Sequence, residues 1–168
     1  PISGKTKWTF EGGGSSMSSL TATSSLLFVP TKGTTAIKPT QTGQEPEPSW
    51  QNNQMQSSTV SPVILKDHIY TLNNGGILKR SRAADGEKSW QLRTTGPYSA
   101  SPVAAGDFLY LVNEKGLVQT VDTTAPEGNV VSTLDLKDTI IGTPSIGNGA
   151  VYVRSDSAIY RIGPKKNP

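Results

Sequence analysis

The sequence lacks several features that point to particular classes of protein. It contains no cysteine, which excludes disulfide bridges and thiolate metal sites. No apolar run approaches the roughly 18 residues that a membrane-spanning helix needs, so we expect no membrane span. It has a single histidine, His68, which any Ser-His-Asp hydrolase site would have to use.

Charge is sparse and nearly balanced. The chain has 16 Lys and Arg against 13 Asp and Glu among 168 residues, a net charge of +3. Its densest basic run, residues 79–82, is followed by Asp85 and Glu87 and has no interleaved aromatic residues on which bases could stack. This pattern favours a solvated surface, and we expect no nucleic-acid partner.

What the chain does have is a repeat of about 42 residues. Three copies begin with a hydroxyl residue followed by Pro62, Pro102 or Pro144, and a tyrosine lies eight residues after each proline. A weaker first copy has Leu20 and Phe28 in the corresponding places. A fixed period of this length indicates one supersecondary unit used several times.

Each copy is built from short strand-like runs separated by turn residues. In the second copy, which is the clearest, the pattern predicts strands at residues 59–65, 68–72, 77–81 and 88–92. Asn-Gly-type and Asp-Gly-type turns between the runs mark hairpins. Four antiparallel strands in about 42 residues are typical of a β-propeller blade, so the sequence predicts an all-β propeller with about four blades.

The predicted blades occupy nearly all of residues 1–168. They cover residues 15–52, 58–93 and 98–135, with a partial blade at 140–163. Residues 1–10 match only the fourth, outer strand of a blade, and we expect them to complete the partial blade. Because the chain begins at Pro1 and is out of phase by one strand, we expect it to be a piece of something longer, half of an eight-bladed propeller.

The repeated motif resembles that of a known family. Ser-Pro-Val, a turn, a hydrophobic-Tyr pair and then Asp85-Gly86-Glu87-Lys88-Ser89-Trp90 resemble the repeat of the PQQ-like, quinoprotein-type propellers, and most of all BamB-like propeller proteins of planctomycete-type bacteria. The resemblance implies blades that pack through glycine and tryptophan. It also implies a scaffold that binds protein or glycan in the bacterial envelope, periplasmic, outer-membrane-associated or secreted.

The resemblance also suggests partners. We expect a protein partner, or the N-terminal half of the same propeller, or a second copy of the chain in a homodimer that completes the ring.

We do not expect an enzyme or a cofactor. In the tryptophan-docking motif of the quinoprotein dehydrogenases, Arg80 and Arg82 occupy the Ala and Asp positions here, and no acidic cluster has calcium-ligand spacing. His68 aligns with structural strand positions of the other copies, so we expect it to pack at a strand end. Two alternatives stay open: a fragment of a PQQ-dependent dehydrogenase, and a ligand-sensing domain of a larger receptor.

Candidate binding residues come from the loops after the second and fourth strands of each blade, which emerge on one face. These loops are polar, mixed in charge and include one aromatic residue. The candidates are Asn73, Asn74, Tyr98, Asn113, Glu114, Arg154 and Asp156. We also expect the Pro- and Glu-rich insertion at residues 44–48 to project as a solvated loop.

Overall fold

The computed structural model describes residues 3–164, which form fifteen strands in four antiparallel sheets. The first blade has β1 (Thr21–Ala22), β2 (Leu27–Pro30), β3 (Thr34–Ile37) and β4 (Pro48–Asn52). The second has β5 (Val63–Leu65), β6 (His68–Leu72), β7 (Ile77–Arg82) and β8 (Lys88–Arg93). The third has β9 (Val103–Ala105), β10 (Phe108–Val112), β11 (Leu117–Asp122) and β12 (Asn129–Asp135). The fourth has β13 (Ser145–Gly147), β14 (Ala150–Arg154) and β15 (Ile159–Ile162).

Each sheet is a meander, because every strand pairs with its neighbour in sequence. The described residues contain no helix. The predicted all-β propeller fold is therefore confirmed, and each sheet lies within one of the predicted blade ranges.

The repeated aromatic residues are partners within a blade. The rings of Tyr70 and Trp90 pack edge to face with centroids 5.8 Å apart, and Phe28 and Trp50 lie at the same distance in the first blade. Pairs of this geometry contribute about 0.5–1.5 kcal/mol beyond the area that they bury. The repeat position eight residues after the proline, or after Leu20 in the first copy, therefore places one member of each pair on the second strand of its blade.

Neighbouring blades pack through glycine and tryptophan, as the motif predicts. A Cβ added to Gly86 would lie 2.7 Å from the ring of Trp50, and one added to Gly128 would lie 2.9 Å from the ring of Trp90. Both glycines also have a positive φ, 73° and 71°. A glycine is therefore required twice over, for backbone conformation and for close approach of the preceding blade's indole.

The main core lies between the second and third blades. It gathers Tyr70, Leu72 and Leu78 from one blade with Leu109 and Leu111 from the next. The second strands β6 and β10 are largely buried, because each is covered by blades on both faces.

A chain of hydroxyl groups links the inner strands of successive blades. The backbone N–H of Ser19 donates to Ser61 Oγ at 2.9 Å, that of Ser61 to Ser101 Oγ at 2.9 Å, and that of Ser101 to Thr143 Oγ1 at 3.1 Å. We call this series the hydroxyl relay. It explains the hydroxyl residue before each repeated proline. It also explains why β5 begins at Val63, later than predicted, since the Ser61 N–H donates to the next blade rather than to a ladder.

The first residues do not form the expected outer strand in this chain. Residues 3–10 carry no strand, and within the described part of the chain the fourth sheet has three strands. The carbonyl of Lys7 instead accepts a hydrogen bond from the N–H of Gly43 at 2.8 Å, which holds the segment beside the first blade. The rest of the predicted strand, residues 1–2, lies outside the described residues.

The insertion of the first blade is solvated only in part. Glu45 and Glu47 are exposed, as predicted, but Pro46 between them is buried. The Thr40 hydroxyl donates to the carbonyl of Gln44 at 2.7 Å. The loop therefore folds back on the blade through its proline instead of projecting freely.

Candidate binding faces

The meander topology places the loops of each blade on two opposite faces. One face, which we call the turn face, carries the turns between second and third strands and the connections between blades. The other, which we call the cleft face, carries the two remaining hairpin turns of each blade. All seven predicted binding residues belong to the turn face.

The turns of the turn face interlock with the connections between blades. The carbonyl of Asn74 accepts from the N–H of Tyr98 at 3.2 Å, and Asn74 Nδ2 donates to the carbonyl of Tyr98 at 3.0 Å. The N–H of Glu114 donates to the carbonyl of Pro97 at 2.9 Å. Asp156 repeats this bond with the connection before the fourth blade, at 3.1 Å. Many polar groups of these loops therefore form hydrogen bonds that join neighbouring blades.

Tyr98 is a core residue, which corrects its assignment to the binding surface. Its side chain is 0% exposed, and its hydroxyl lies 3.0 Å from Thr94 Oγ1 and 2.9 Å from Gln119 Oε1. Burial raises the pKa of the phenol. The connection turns this ring inward because its apolar body fills the space between two blades while its hydroxyl is still satisfied.

Asn113 is also buried, at 1% exposure, and its assignment to the surface is corrected in the same way. Its Oδ1 accepts from the backbone N–H groups of Lys115 and Leu117, at 3.0 and 2.9 Å. Asn73 is half-buried and makes the same kind of bond within its own turn, at 2.9 Å. These asparagines close turns by replacing backbone partners.

The remaining candidates keep some access to solvent. Asn74, Arg154 and Asp156 are exposed, and Glu114 is half-buried with its Oε1 accepting from the Ser99 hydroxyl at 2.8 Å. A shallow cavity of about 310 Å³ is lined by residues 154–159. The accessible part of the turn face is thus smaller than predicted.

The cleft face has a larger cavity, which the sequence did not reveal. A cleft of about 630 Å³ lies where the first and second blades meet. Its lining combines the hydroxyls of residues 23–25, the apolar Leu26, Ala83 and Ala84, the carboxylate of Asp67, and the cations Lys38, Lys66 and Arg82. Sequence reasoning missed it because the lining comes from turns that are ordinary in each copy and that meet only when two blades pack.

The cations of this cleft differ in how they are paired. Lys66 forms an ion pair with Asp107, and Arg82 with Asp85 and Glu87. These pairs raise the pKa of Lys66 and lower that of Asp85, through the hydrogen bonds between the partners. They are exposed pairs, so they contribute little stability. Lys38 makes no ion pair with the described residues, so its charge is available to a ligand.

A second cavity, of about 830 Å³, adjoins the cleft and shares Lys38 with it. The insertion of the first blade lines this cavity, including Glu45 and Glu47. The first blade thus carries both acidic and basic groups beside the cleft.

Arg80 changes the junction between the second and third blades. In the junction before it, Trp50 Nε1 donates to the carbonyl of Ala83 at 3.1 Å. The corresponding acceptor in the third blade, the carbonyl of Thr123, instead accepts from Arg80 Nη1 at 3.0 Å. Trp90 Nε1 is then left without a partner among the described residues.

The same guanidinium also holds His68. Arg80 Cζ lies 6.0 Å from the centroid of the Trp90 ring, within cation–π range, and its Nη2 is 3.0 Å from His68 Nε2. Burial lowers the pKa of His68, and the charge of Arg80 lowers it further. His68 is half-buried at the start of β6, the strand-end packing position that the sequence predicted.

Within residues 3–164, no group of three or more His, Asp or Glu side chains is placed to hold a metal ion. No helix that could cross a membrane occurs in the same range.

The blades, their glycine–tryptophan contacts and their interlocked loops define a β-propeller array with clefts between blades. The chain belongs to the PQQ-like propeller family described as outer membrane protein assembly factor BamB, whose model matches residues 2–125. No individual curated protein matches the sequence.

Solved propellers share the fold. BamB from Moraxella catarrhalis is 19% identical with a TM-score of 0.73, over 94% of this chain and 49% of that one. The computationally designed Ika8 protein is 11% identical with a TM-score of 0.68, over 94% and 49%. The designed Ika4 protein is 13% identical with a TM-score of 0.71, over 95% and 99%. The chain therefore spans about half the length of BamB and of Ika8, and nearly all of Ika4.

Proposed function

We propose that this protein is a non-enzymatic propeller scaffold that binds protein partners in the bacterial cell envelope. The observation that carries the proposal is the match of residues 2–125 to a family described as an outer membrane protein assembly factor. A propeller supports a scaffold or binding role in general, because rigid blades hold many loops in fixed positions. The periplasmic side of the outer membrane is the location that this family membership supports.

The cleft between the first and second blades is the surface that we assign to the partner. It has room for a short peptide segment, and its lining includes the apolar Leu26 and Ala83 and the cation Lys38, which forms no ion pair with the described residues. The docking of Trp50 on Gly86 fixes the two walls relative to each other. A segment with apolar side chains and an acidic residue fits this chemistry.

Binding to purified outer-membrane assembly proteins of the source bacterium tests the proposal. We expect saturable binding that Lys38→Glu weakens by about tenfold or more, equivalent to about 1.4 kcal/mol. The matched control is Lys115→Glu, the same charge change at an exposed position of the turn face. Loss of binding with Lys115→Glu alone would place the partner on the turn face. No saturable binding would refute the scaffold role.

The proposal that this protein is not an enzyme is tested separately. Arg80 and Arg82 stand at the Ala and Asp positions of the dehydrogenase motif, and Arg82 is engaged by Asp85 and Glu87. We therefore expect PQQ with Ca²⁺ to leave the thermal unfolding temperature unchanged. Saturable quinone binding would overturn this part of the proposal and favour the dehydrogenase alternative.

The proposed scaffold also requires further blades to complete the propeller ring. Either the N-terminal half of the same propeller or a second copy of this chain would supply the further blades.

A further inference from the structure

The tryptophans of the first and second blades are seated in the same way on the blade that follows. Trp50 lies against Gly86, where an added Cβ would be 2.7 Å from the ring. Trp90 lies against Gly128, where the same distance is 2.9 Å. The two indoles therefore occupy equivalent places, one blade apart.

The backbone that each indole faces is also equivalent. In the second blade, the N–H of Ala83 donates to the carbonyl of Asp67 at 2.9 Å. In the third blade, the N–H of Thr123 donates to the carbonyl of Asp107 at 3.0 Å. Each bond holds the residue that follows the third strand of its blade. Since the Ala83 carbonyl accepts the indole N–H of the preceding blade, the Thr123 carbonyl is the corresponding acceptor at the next junction.

Arg80 makes the difference between the two junctions. It lies opposite Trp90 in strand register, where the first blade has the short side chain of Ala36 opposite its own tryptophan. Arg80 Nη1 donates to the Thr123 carbonyl at 3.0 Å, whereas Trp90 Nε1 is buried without a partner among residues 3–164. The guanidinium thus takes the acceptor that the indole uses at the first junction.

The position of Arg80 depends on a neutral His68. Arg80 Nη2 lies 3.0 Å from His68 Nε2. A neutral imidazole offers one nitrogen as an acceptor, whereas an imidazolium has two donors and no acceptor. Protonation of His68 therefore removes this bond and brings a second positive charge into contact with the guanidinium. Because Arg80 Nε is buried and has no partner among the described residues, few bonds hold the side chain in place.

The charged groups around His68 come from its own turn, from β7, from the start of β8 and from across the junction. They are Lys66, Asp67, Arg80, Arg82, Glu87, Lys88 and, paired with Lys66, Asp107. Burial lowers the pKa of His68 below 6.5, and Arg80 and Arg82 lower it further, whereas Asp67 opposes them. His68 is therefore neutral near pH 7. It is half-buried beside a cavity of about 170 Å³, so solvent protons reach the ring.

We propose that His68 is a pH-sensitive switch at the junction between the second and third blades. Near neutral pH, His68 holds Arg80 on the Thr123 carbonyl. Protonation of His68 releases Arg80 from this carbonyl. The indole N–H of Trp90 then donates to Thr123, which is the arrangement that Trp50 has at the first junction. The switch does not depend on the scaffold function proposed above.

NMR spectroscopy of the indole N–H groups in ¹⁵N-labelled protein, between about pH 7.5 and pH 5, tests the switch. The Trp90 resonance is identified by its loss in Trp90→Phe. As His68 takes up its proton, below about pH 6.5, we expect the Trp90 indole proton to shift downfield because it gains an acceptor. The Trp50 resonance should stay in place, since its bond to Ala83 does not involve His68. The ring protons of His68 should titrate with the same midpoint.

Two variants separate the contributions of the histidine and the arginine. His68→Gln keeps an acceptor for Arg80 but does not titrate, so the Trp90 resonance should hold its neutral-pH position throughout. Arg80→Ala introduces the residue type that the first blade has at this position, so the resonance should lie at the shifted position at every pH. Arg80→Met, which keeps the aliphatic stem without the charge, replaces the alanine variant if that variant does not fold.

Three outcomes would overturn the proposal. A Trp90 resonance that stays in place while His68 titrates would mean that the imidazole moves instead of the guanidinium. A shift that persists in His68→Gln would assign the effect to another group. A Trp90 resonance that keeps its neutral-pH position without Arg80 would mean that the indole does not use the Thr123 carbonyl.

Discussion

Replacing Gly86 by alanine measures how much the contact between blades contributes to stability. The new Cβ would lie 2.7 Å from the Trp50 ring, closer than a carbon can approach, and the backbone has φ 73°. The left-handed conformation costs a non-glycine residue about 1–2 kcal/mol. Displacing a packed indole costs about 1–3 kcal/mol more. We expect Gly86→Ala to lower the free energy of unfolding by about 2–5 kcal/mol.

Gly106→Ala is the matched control. Gly106 has φ 59°, and nothing lies within 4 Å of an added Cβ, so this variant carries the backbone cost alone. The difference between the two variants, about 1–3 kcal/mol, reports the contact with Trp50. It corresponds to a shift of about 2–4 °C in the unfolding temperature for each kcal/mol in a chain of this size.

Urea unfolding followed by circular dichroism supplies the free energies, at one protein concentration because assembly would add to stability. In a Trp50→Ala background we expect Gly86→Ala and Gly106→Ala to cost the same, since the indole is gone. Equal costs in the natural background would refute the packing argument. So would a difference that persists without Trp50.

Three further predictions concern the relay, the core and pH. Ser101→Ala removes the acceptor of the partly buried Ser61 N–H and should cost about 1–2 kcal/mol in urea unfolding. Tyr98→Phe removes a buried hydroxyl beside Gln119 and should cost about 1–3 kcal/mol, while leaving partner binding unchanged in a titration. His68 has a pKa below its usual 6.5 in the folded chain, so the folded state disfavours the proton. Stability should therefore fall as pH drops below about 6.5, and His68→Gln should flatten that decline.

Each of these three predictions would be contradicted by a specific outcome. A stability of Ser101→Ala equal to that of the natural chain would mean that water replaces the relay bond. Weaker partner binding by Tyr98→Phe would restore Tyr98 to the binding surface. If the free energy of unfolding of His68→Gln still declined with falling pH above about pH 5, groups other than His68 would be responsible for the decline. The carboxyls of Asp85, Asp122 and Asp138 have lowered pKa values, so their contribution is lost only in stronger acid.

The sequence could predict much of the fold because the signals involved are local and repeated. A hydroxyl residue, a proline and a tyrosine at fixed spacing mark the first two strands of a blade, and Gly86 with Trp90 marks the last. Turn residues and alternating apolar runs act over a few positions, and four copies reinforce one another. The family motif also indicated that glycine and tryptophan join the blades, but only the structure shows that Gly86 contacts Trp50 of the preceding blade.

The candidate site was predicted less well. Loop polarity suggested that Tyr98 and Asn113 are accessible, but both are buried and serve to join or close turns. A polar loop residue can bond to solvent, to its own turn or to the next blade, and composition does not distinguish these outcomes. The cleft beside Lys38 had no sequence signal, since its walls lie in two different copies.

The sequence by itself determined the repeat, the strand order within each blade and the residue types that blades use to pack. Only the tertiary structure decided which polar loops remain accessible, where the cleft lies, and that residues 3–10 do not pair with β15 as a fourth strand. The physical reason is the range of the interactions. Strand and turn preferences act between near neighbours in the chain, whereas burial and edge pairing depend on the sum of contacts between blades.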